Sequence, residues 1–298
     1  MNWQIPAKTF LLGEYAAVAG ASAIILTTSP CFELDYSNDD KLHGIHPDSP
    51  AGQWWAQHRI SFRGLIWNDP YNGIGGLGAS SAQFLGTYLA SCKLLDVEPN
   101  QKTLLDSYYQ CSWRGDGLKP SGYDLLAQSQ NLCVYINQNQ QIMKSFDWPF
   151  EDISFLLLHS GQKLATHYHL QNTRLPGSIN ELSETVELAY QAFEQIDSQT
   201  LIEAVTSYEQ QLSDLGLIAP HSKEHIRIFN AQPDVLAAKG CGALGADVLL
   251  LLVPANYLET KVKNLTEEGW TVLATNKNLY TGRTILKNKP YKTLEILP

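Results

Sequence analysis

At 298 residues, 44% of them hydrophobic and 17% charged, the chain is rich enough in apolar side chains for one large globular unit or two modest ones, and too rich for disorder. A formal net charge of −9 argues against nucleic acid as a partner. No apolar run is long enough to span a bilayer, residues 1–8 lack the apolar core of a signal peptide, and Cys31, Cys92, Cys111, Cys133 and Cys241 are scattered without metal-like pairing. The expectation is a cytoplasmic protein with reduced thiols, no membrane partner and no nucleic-acid partner.

In chain order, residues 10–12 and 21–26 read as short strands around Gly13 and Gly20, and the polar stretch 38–53 as a loop. Lys8 and Glu14 stand at the two ends of an apolar run, where a charge must be solvated, paired or functional. Residues 73–83 then read Gly-Ile-Gly-Gly-Leu-Gly-Ala-Ser-Ser-Ala-Gln and run into a helix over 79–95, with Phe84, Leu85, Tyr88, Leu89, Cys92 and Leu95 at spacings of three and four. Glycines that free the backbone to curl round a ligand, followed by open N–H groups at the positive end of a helix, suit a phosphate; a plain Gly-rich turn with a serine cap is the alternative. A Walker loop is excluded because no Gly-Lys-Ser/Thr closes the run. The spacing Gly73-x-Gly75-x-x-Gly78 fits the dinucleotide fingerprint, but a turn-like run precedes it at 67–72 and a second helix over 100–113 follows it, where a βαβ unit needs strands.

Beyond this, Pro120-Ser-Gly-Tyr-Asp124 leads into Leu125-Leu-Ala-Gln, where an isolated Asp124 reads as a helix cap. A strand follows over 132–136, and Pro149 with Glu151 and Asp152 marks a boundary, dividing the chain into 1–150 and 151–298. The second part begins with a buried strand over 153–159, carries helical spacing over 178–214, and ends with strands over 248–253 and 270–274. Lys239-Gly-Cys-Gly-Ala-Leu-Gly-Ala-Asp247, before the strongest strand, is alone only a glycine turn. His167 and His169 alternate as on a strand, but with no third ligand they read as exposed histidines rather than a zinc site, and Trp54, Trp55 and Trp113 read as packing.

In this order the segments resemble the GHMP kinase family, which includes the galacto-, homoserine, mevalonate and phosphomevalonate kinases. Pro6-x-Lys8-x-x-x-Leu12-Gly13-Glu14-Tyr15-Ala16 is similar to the family's first motif, Gly76-Leu-Gly-Ala-Ser-Ser to its second and Lys239–Asp247 to its third. Pro120-Ser-Gly-Tyr-Asp124 resembles the segment bearing the catalytic aspartate of mevalonate kinases, and residues 159–166 resemble the start of the family's C-terminal domain. Tyr15 leans toward the phosphomevalonate kinases and the Asp124 segment toward the mevalonate kinases, while the galactokinase and mevalonate diphosphate decarboxylase signatures are absent.

The resemblance implies a two-lobed α+β fold, with a ribosomal protein S5-like N-terminal lobe that binds nucleotide and a ferredoxin-like C-terminal lobe. It implies an ATP- and Mg²⁺-dependent kinase of a small molecule, as monomer or homodimer. Gly73, Gly75, Gly76, Leu77, Gly78, Ala79, Ser80, Ser81 and Gly242 would hold the nucleotide, with Ser80 facing the metal. Asp124 and Lys8 would be catalytic, and Glu14, Tyr15, Ser121, Lys163 and Thr166 would face substrate; Lys239 is a weaker candidate. The chain also departs from the pattern. Ala79 replaces the first serine of Gly-Leu-Gly-Ser-Ser, Trp113 stands where mevalonate kinase carries a magnesium-binding Glu, with Asp116 the nearest carboxylate, and Ala243 and Leu244 stand where glycine is usual. These departures keep open a non-catalytic nucleotide binder on the same fold, beside a kinase of mevalonate, phosphomevalonate or another alcohol such as a sugar.

Overall fold

The computed structural model describes residues 2–58, 63–161 and 179–286. The first sheet is built on a long strand, β2 (Ala23–Tyr36), which pairs with β1 (Asn2–Leu12), β4 (Leu65–Asn68) and β5 (Cys133–Asn137). β3 (Leu42–His43) and β6 (Ile142–Phe146) complete it at the two edges. From Ile5 to Leu12 every residue of β1 is buried, so both faces of the strand are covered. Helices α2 (Ala79–Leu94) and α4 (Tyr123–Gln128) pack on it from the first lobe, and β8 (Ala237–Cys241) with α6 (Ser198–Asp214) from the second.

α2 buries Phe84, Leu85, Tyr88, Leu89 and Cys92, each large side chain contributing roughly 1.5–3 kcal/mol. Leu95, the last position of the expected stripe, falls past the helix end and is exposed. α1 (Pro50–His58) packs against α2 and places Trp54 and Trp55 in the core, the Trp54 indole donating to Ser91 Oγ at 3.1 Å. α3 (Gln101–Ser112) begins at Asn100, whose side chain accepts from Thr103 N.

The second sheet is antiparallel throughout, in the order β10-β7-β9-β8, with β7 (Ile153–His159), β9 (Val248–Pro254) and β10 (Val272–Thr275). Its central strands are continuous apolar runs, as strands covered on both faces must be. Helices α5 (Ile179–Gln195), α6, α7 (Pro220–Asn230) and α8 (Leu258–Glu267) complete this lobe. No helix among the described residues is long and apolar enough to cross a membrane.

Five local expectations change. The stretch 38–53 is not all loop: it holds β3 and the start of α1. A short strand, β4, does precede the glycine loop, but it runs antiparallel to β2, and a helix rather than a parallel strand follows α2, so no βαβ unit forms. β6 has no buried face to mark it, its five residues all being at least partly accessible. β8, with Gly240 inside it, is a strand within what reads as a turn. The pattern over 178–214 is two helices, broken where Ile196 turns to φ 57° and Asp197 caps α6 through Thr200 N.

The two sheets lie on either side of residue 150, but they share one core. A single buried cluster includes Ile5, Leu11 and Phe84 from the first lobe and Phe155, Val205 and Leu250 from the second. After β10 the chain also returns to the first lobe. Tyr280 exchanges backbone hydrogen bonds with Thr27 and Leu132, and Ile285 N–H donates to Ser129 O at 2.8 Å.

Candidate active site

Strand β1 carries the first candidate, Lys8, within its buried run. The β1–β2 register shifts between Ile5 and Ala7: one β1 residue, Pro6, faces three on β2, Ser29, Pro30 and Cys31, so the extra residues lie on β2, and Pro6 has no N–H to lend to the ladder. Two residues on, Lys8 is buried, and its Nζ lies 3.1 Å from Asp124 Oδ2. The pair is unequally exposed: the lysine side chain is 9% accessible and the aspartate side chain 37%, so the carboxylate remains open to a ligand. Asp124 is not the cap of its helix. Gly122 occupies that position with φ 74°, and Asp124 is the second residue of the first turn, free to pair.

The glycine loop meets this pair at one residue. Gly78 caps α2 with φ 78° and no side-chain cap, so first-turn N–H groups of α2 are left for a ligand. A Cβ on Gly78 would lie 2.7 Å from Lys8 Cγ and 2.9 Å from Gln128 Nε2, so only glycine lets the loop rest on the lysine stem. At Gly76, φ 81°, a Cβ would meet Asp247 Cβ at 2.7 Å and Val248 Cγ2 at 2.8 Å, so the loop also rests on the third motif of the other lobe. Leu77 is buried and its carbonyl accepts from Lys8 N–H at 3.0 Å. Gly75 and Ala79 are partly accessible, and Ser80 is exposed at the start of α2.

Two other loop residues are occupied. Gly73 N–H donates to Asp69 Oδ2 at 2.9 Å, while Asp69 Oδ1 accepts from Tyr71 N–H, so Asp69 engages the N–H groups at the loop's entry. Ser81 is buried and its hydroxyl donates to Gly78 O at 2.9 Å, a local bond that takes it out of reach of a ligand.

The third motif forms the turn between β8 and β9. Gly242 adopts φ 84° and ψ −163°, a region open to glycine alone, with free space about it. Leu244, where a glycine is usual, is held at φ 54°, which costs a non-glycine residue about 1 kcal/mol. What holds it there is Tyr15, whose hydroxyl accepts from Leu244 N–H at 3.0 Å.

Tyr15 and Glu14 therefore do not face the cleft. Tyr15 is buried, and burial pushes its phenol pKa up to about 12. Glu14 Oε1 accepts from the Lys239 ammonium, both side chains being almost inaccessible. Burial works against the Lys239 ammonium, but Cys241 and Glu14 beside it outweigh that and hold its pKa above the ordinary lysine value. Burial pushes the Cys241 thiol up to about 11, so it is neutral near pH 7. Lys239 is thus a tie between lobes rather than a cleft residue.

Ser121 is likewise used locally, its hydroxyl accepting from Tyr123 N–H and its carbonyl from the Tyr109 hydroxyl. Trp113 ends α3 and donates from its indole to Asp116 O at 3.1 Å. No group of three His, Cys, Asp or Glu side chains suited to a metal ion occurs among the described residues. Lys163, Thr166, His167 and His169 lie outside the described residues. Gln128, which joins β1 to the glycine loop, was not singled out by sequence; no motif marks it.

No family model matches the chain, and no curated protein does. Solved structures do match. Streptococcus pneumoniae phosphomevalonate kinase in complex with phosphomevalonate and AMPPNP aligns at TM-score 0.74 and 17% identity, over 92% of this chain and 99% of that one. Methanococcus jannaschii mevalonate kinase aligns at TM-score 0.70 and 15% identity, over 92% and 97%. Lactococcus lactis galactokinase, complexed with galactose, aligns at TM-score 0.70 and 12% identity, over 91% and 92%. Near-complete coverage in both directions, with two sheets and the glycine loop at the head of α2, gives the chain the GHMP kinase fold, that of the mevalonate and phosphomevalonate kinases.

Proposed function

We propose that the protein is an ATP-dependent kinase of a small molecule, with mevalonate or phosphomevalonate the first acceptors to test. The observation that carries this reading is the Lys8–Asp124 pair, 3.1 Å apart and seated against Gly78 at the head of α2. A protein that only bound nucleotide would have no use for a buried lysine aimed at a half-open carboxylate. Phosphoryl transfer can use that arrangement, because it depends on positioning and charge neutralisation more than on covalent chemistry.

In the proposed reaction the first-turn N–H groups of α2 and the loop backbone around Gly75 and Gly76 hold the β- and γ-phosphates. Asp124 accepts the proton of the attacking acceptor oxygen as the new O–P bond forms and ADP leaves. Lys8 fixes the Asp124 carboxylate and balances charge on the moving phosphoryl group. The exposed Ser80 hydroxyl would be one protein oxygen available to Mg²⁺. This donor set fits an ion that arrives with the nucleotide and is held mainly by phosphate oxygens and water, not a resident one. Lys163 and Thr166 remain candidates for the acceptor side.

One observation favours a second reading, a nucleotide binder without turnover: Trp113, tied to Asp116 O, occupies the position expected of a metal-binding carboxylate. An ADP-release assay over mevalonate, phosphomevalonate and several sugars separates the two. The kinase reading expects acceptor-dependent ADP release with one of them. MgATP that raises the melting temperature by mass action without any acceptor-dependent release supports the binder. In the same assay Ser80→Ala is expected to lower metal-dependent turnover more than nucleotide affinity. Equal loss of both would make Ser80 part of the helix start and nothing more.

A further inference from the structure

We infer that Gln128 is a positioning residue of this site, resting on the kinase reading above: it fixes the Lys8–Asp124 pair relative to the glycine loop. Gln128 lies four residues after Asp124, one turn along the same face of α4, and is fully buried. Both N–H groups of its amide are used. One donates to Pro6 O at 2.9 Å and the other to Gly78 O at 3.1 Å. A single helical turn thus offers a carboxylate to the Lys8 ammonium and an amide to the backbone on either side of it.

The two acceptors are informative. Pro6 is the β1 residue at the β1–β2 register shift, two before Lys8, and its carbonyl accepts from Gln128, so the amide ties α4 to β1 beside the lysine. Gly78 O has no shortage of donors, since Ala82 N–H and the Ser81 hydroxyl both reach it at 2.9 Å. The Gln128 bond is not required to satisfy that carbonyl; what it adds is a fixed position for the head of α2.

The amide orientation is decided by the same contacts. Turned over, its oxygen would face two carbonyl oxygens, so the nitrogen must lie toward them. That leaves Gln128 Oε1 buried with no hydrogen-bond partner among the described residues. An apolar side chain of the same length would avoid this orphaned acceptor but would take its donor from Pro6 O. A polar group kept at such a cost marks a position chosen for geometry rather than stability.

Gln130 provides the control. It is the same residue type, is 5% exposed, and also spends its amide on two oxygens, Ser129 Oγ and Leu286 O, away from the Lys8–Asp124 pair. Gln128→Leu is expected to lower kcat by roughly ten- to a hundredfold, as loss of positioning does, with KM for ATP within about threefold. Gln130→Leu is expected to lower the melting temperature and leave kcat per folded molecule within about twofold. Should Gln128→Leu fold poorly, Gln128→Asn, which keeps the amide and shortens its reach, is expected to lose kcat in the same sense.

A crystal structure of either Gln128 variant is expected to show the Lys8–Asp124 separation opened beyond 4 Å. The inference is overturned if both glutamine variants lose activity only in step with their folded fraction. It is equally overturned if the 3.1 Å pair survives in Gln128→Leu. If the wild-type protein transfers phosphate to no acceptor, the kinase reading fails, and the variant structure alone decides whether Gln128 sets the pair.

Discussion

Asp124→Asn is expected to lower turnover by about two orders of magnitude or more while leaving ATP affinity nearly intact, because the amide keeps the shape of the carboxylate but cannot take the acceptor's proton. Lys8→Met is expected to do the same, and the double variant to lose little beyond either single one, since groups that act as a unit are not additive. The geometric basis is the 3.1 Å contact between a lysine stem packed under Gly78 and a carboxylate more than a third exposed. Steady-state kinetics with saturating acceptor, beside ATP affinity by calorimetry, provides the check. Near-normal turnover in Asp124→Asn would remove Asp124 from the chemistry, and additive losses would mean that Lys8 and Asp124 act separately.

That pair was legible in the sequence only through the motifs that carry it. Lys8 read alone is a surface lysine at a strand start, and Asp124 read alone is a cap. Helix α2 was legible from periodicity, since the same spacing that places Phe84, Leu85, Tyr88 and Leu89 on one face buries them. Glu14 and Tyr15 were read toward substrate and lie instead between the lobes. Their partners, Lys239 and Leu244 N–H, stand 225 and 229 residues away, and no local pattern announces a contact of that range. Gln128 was lost for a related reason: in Leu125-Leu-Ala-Gln it looks like the polar end of a short helix. Its meaning comes from its bonds to Pro6 O and Gly78 O, which only the packing of α4 against β1 and the glycine loop reveals. Local periodicity sees one element at a time, whereas these residues are defined by where two elements meet.

Lys239→Met is expected to destabilise the fold by about 3–5 kcal/mol, because it leaves the Glu14 carboxylate buried without its counter-charge. Glu14 already has one oxygen, Oε2, with no hydrogen-bond partner among the described residues, so nothing nearby can take over from the ammonium. The reverse variant, Glu14→Gln, strands the lysine but is milder, since a neutral amide can still accept from it. The double variant Glu14→Gln, Lys239→Met is expected to recover 2–3 kcal/mol relative to the sum of the singles, because removing both charges also removes the desolvation they impose. The sign of the pH effect follows from the raised lysine pKa. The contribution of the pair is fully present below the ordinary lysine value of 10.5 and is lost as pH rises through the higher folded-state value, so the cost of Lys239→Met should be flat between about pH 6 and 9. Urea unfolding of the four proteins across that range measures both quantities. Additive costs would show that Glu14 and Lys239 are not coupled, and a cost that falls steeply below pH 9 would show that the lysine is not the charge that matters. A coupled, pH-flat result would mean that this ion pair, beside the Tyr15–Leu244 hydrogen bond, holds the first and third motifs together, with the glycine loop resting on Asp247 and Val248.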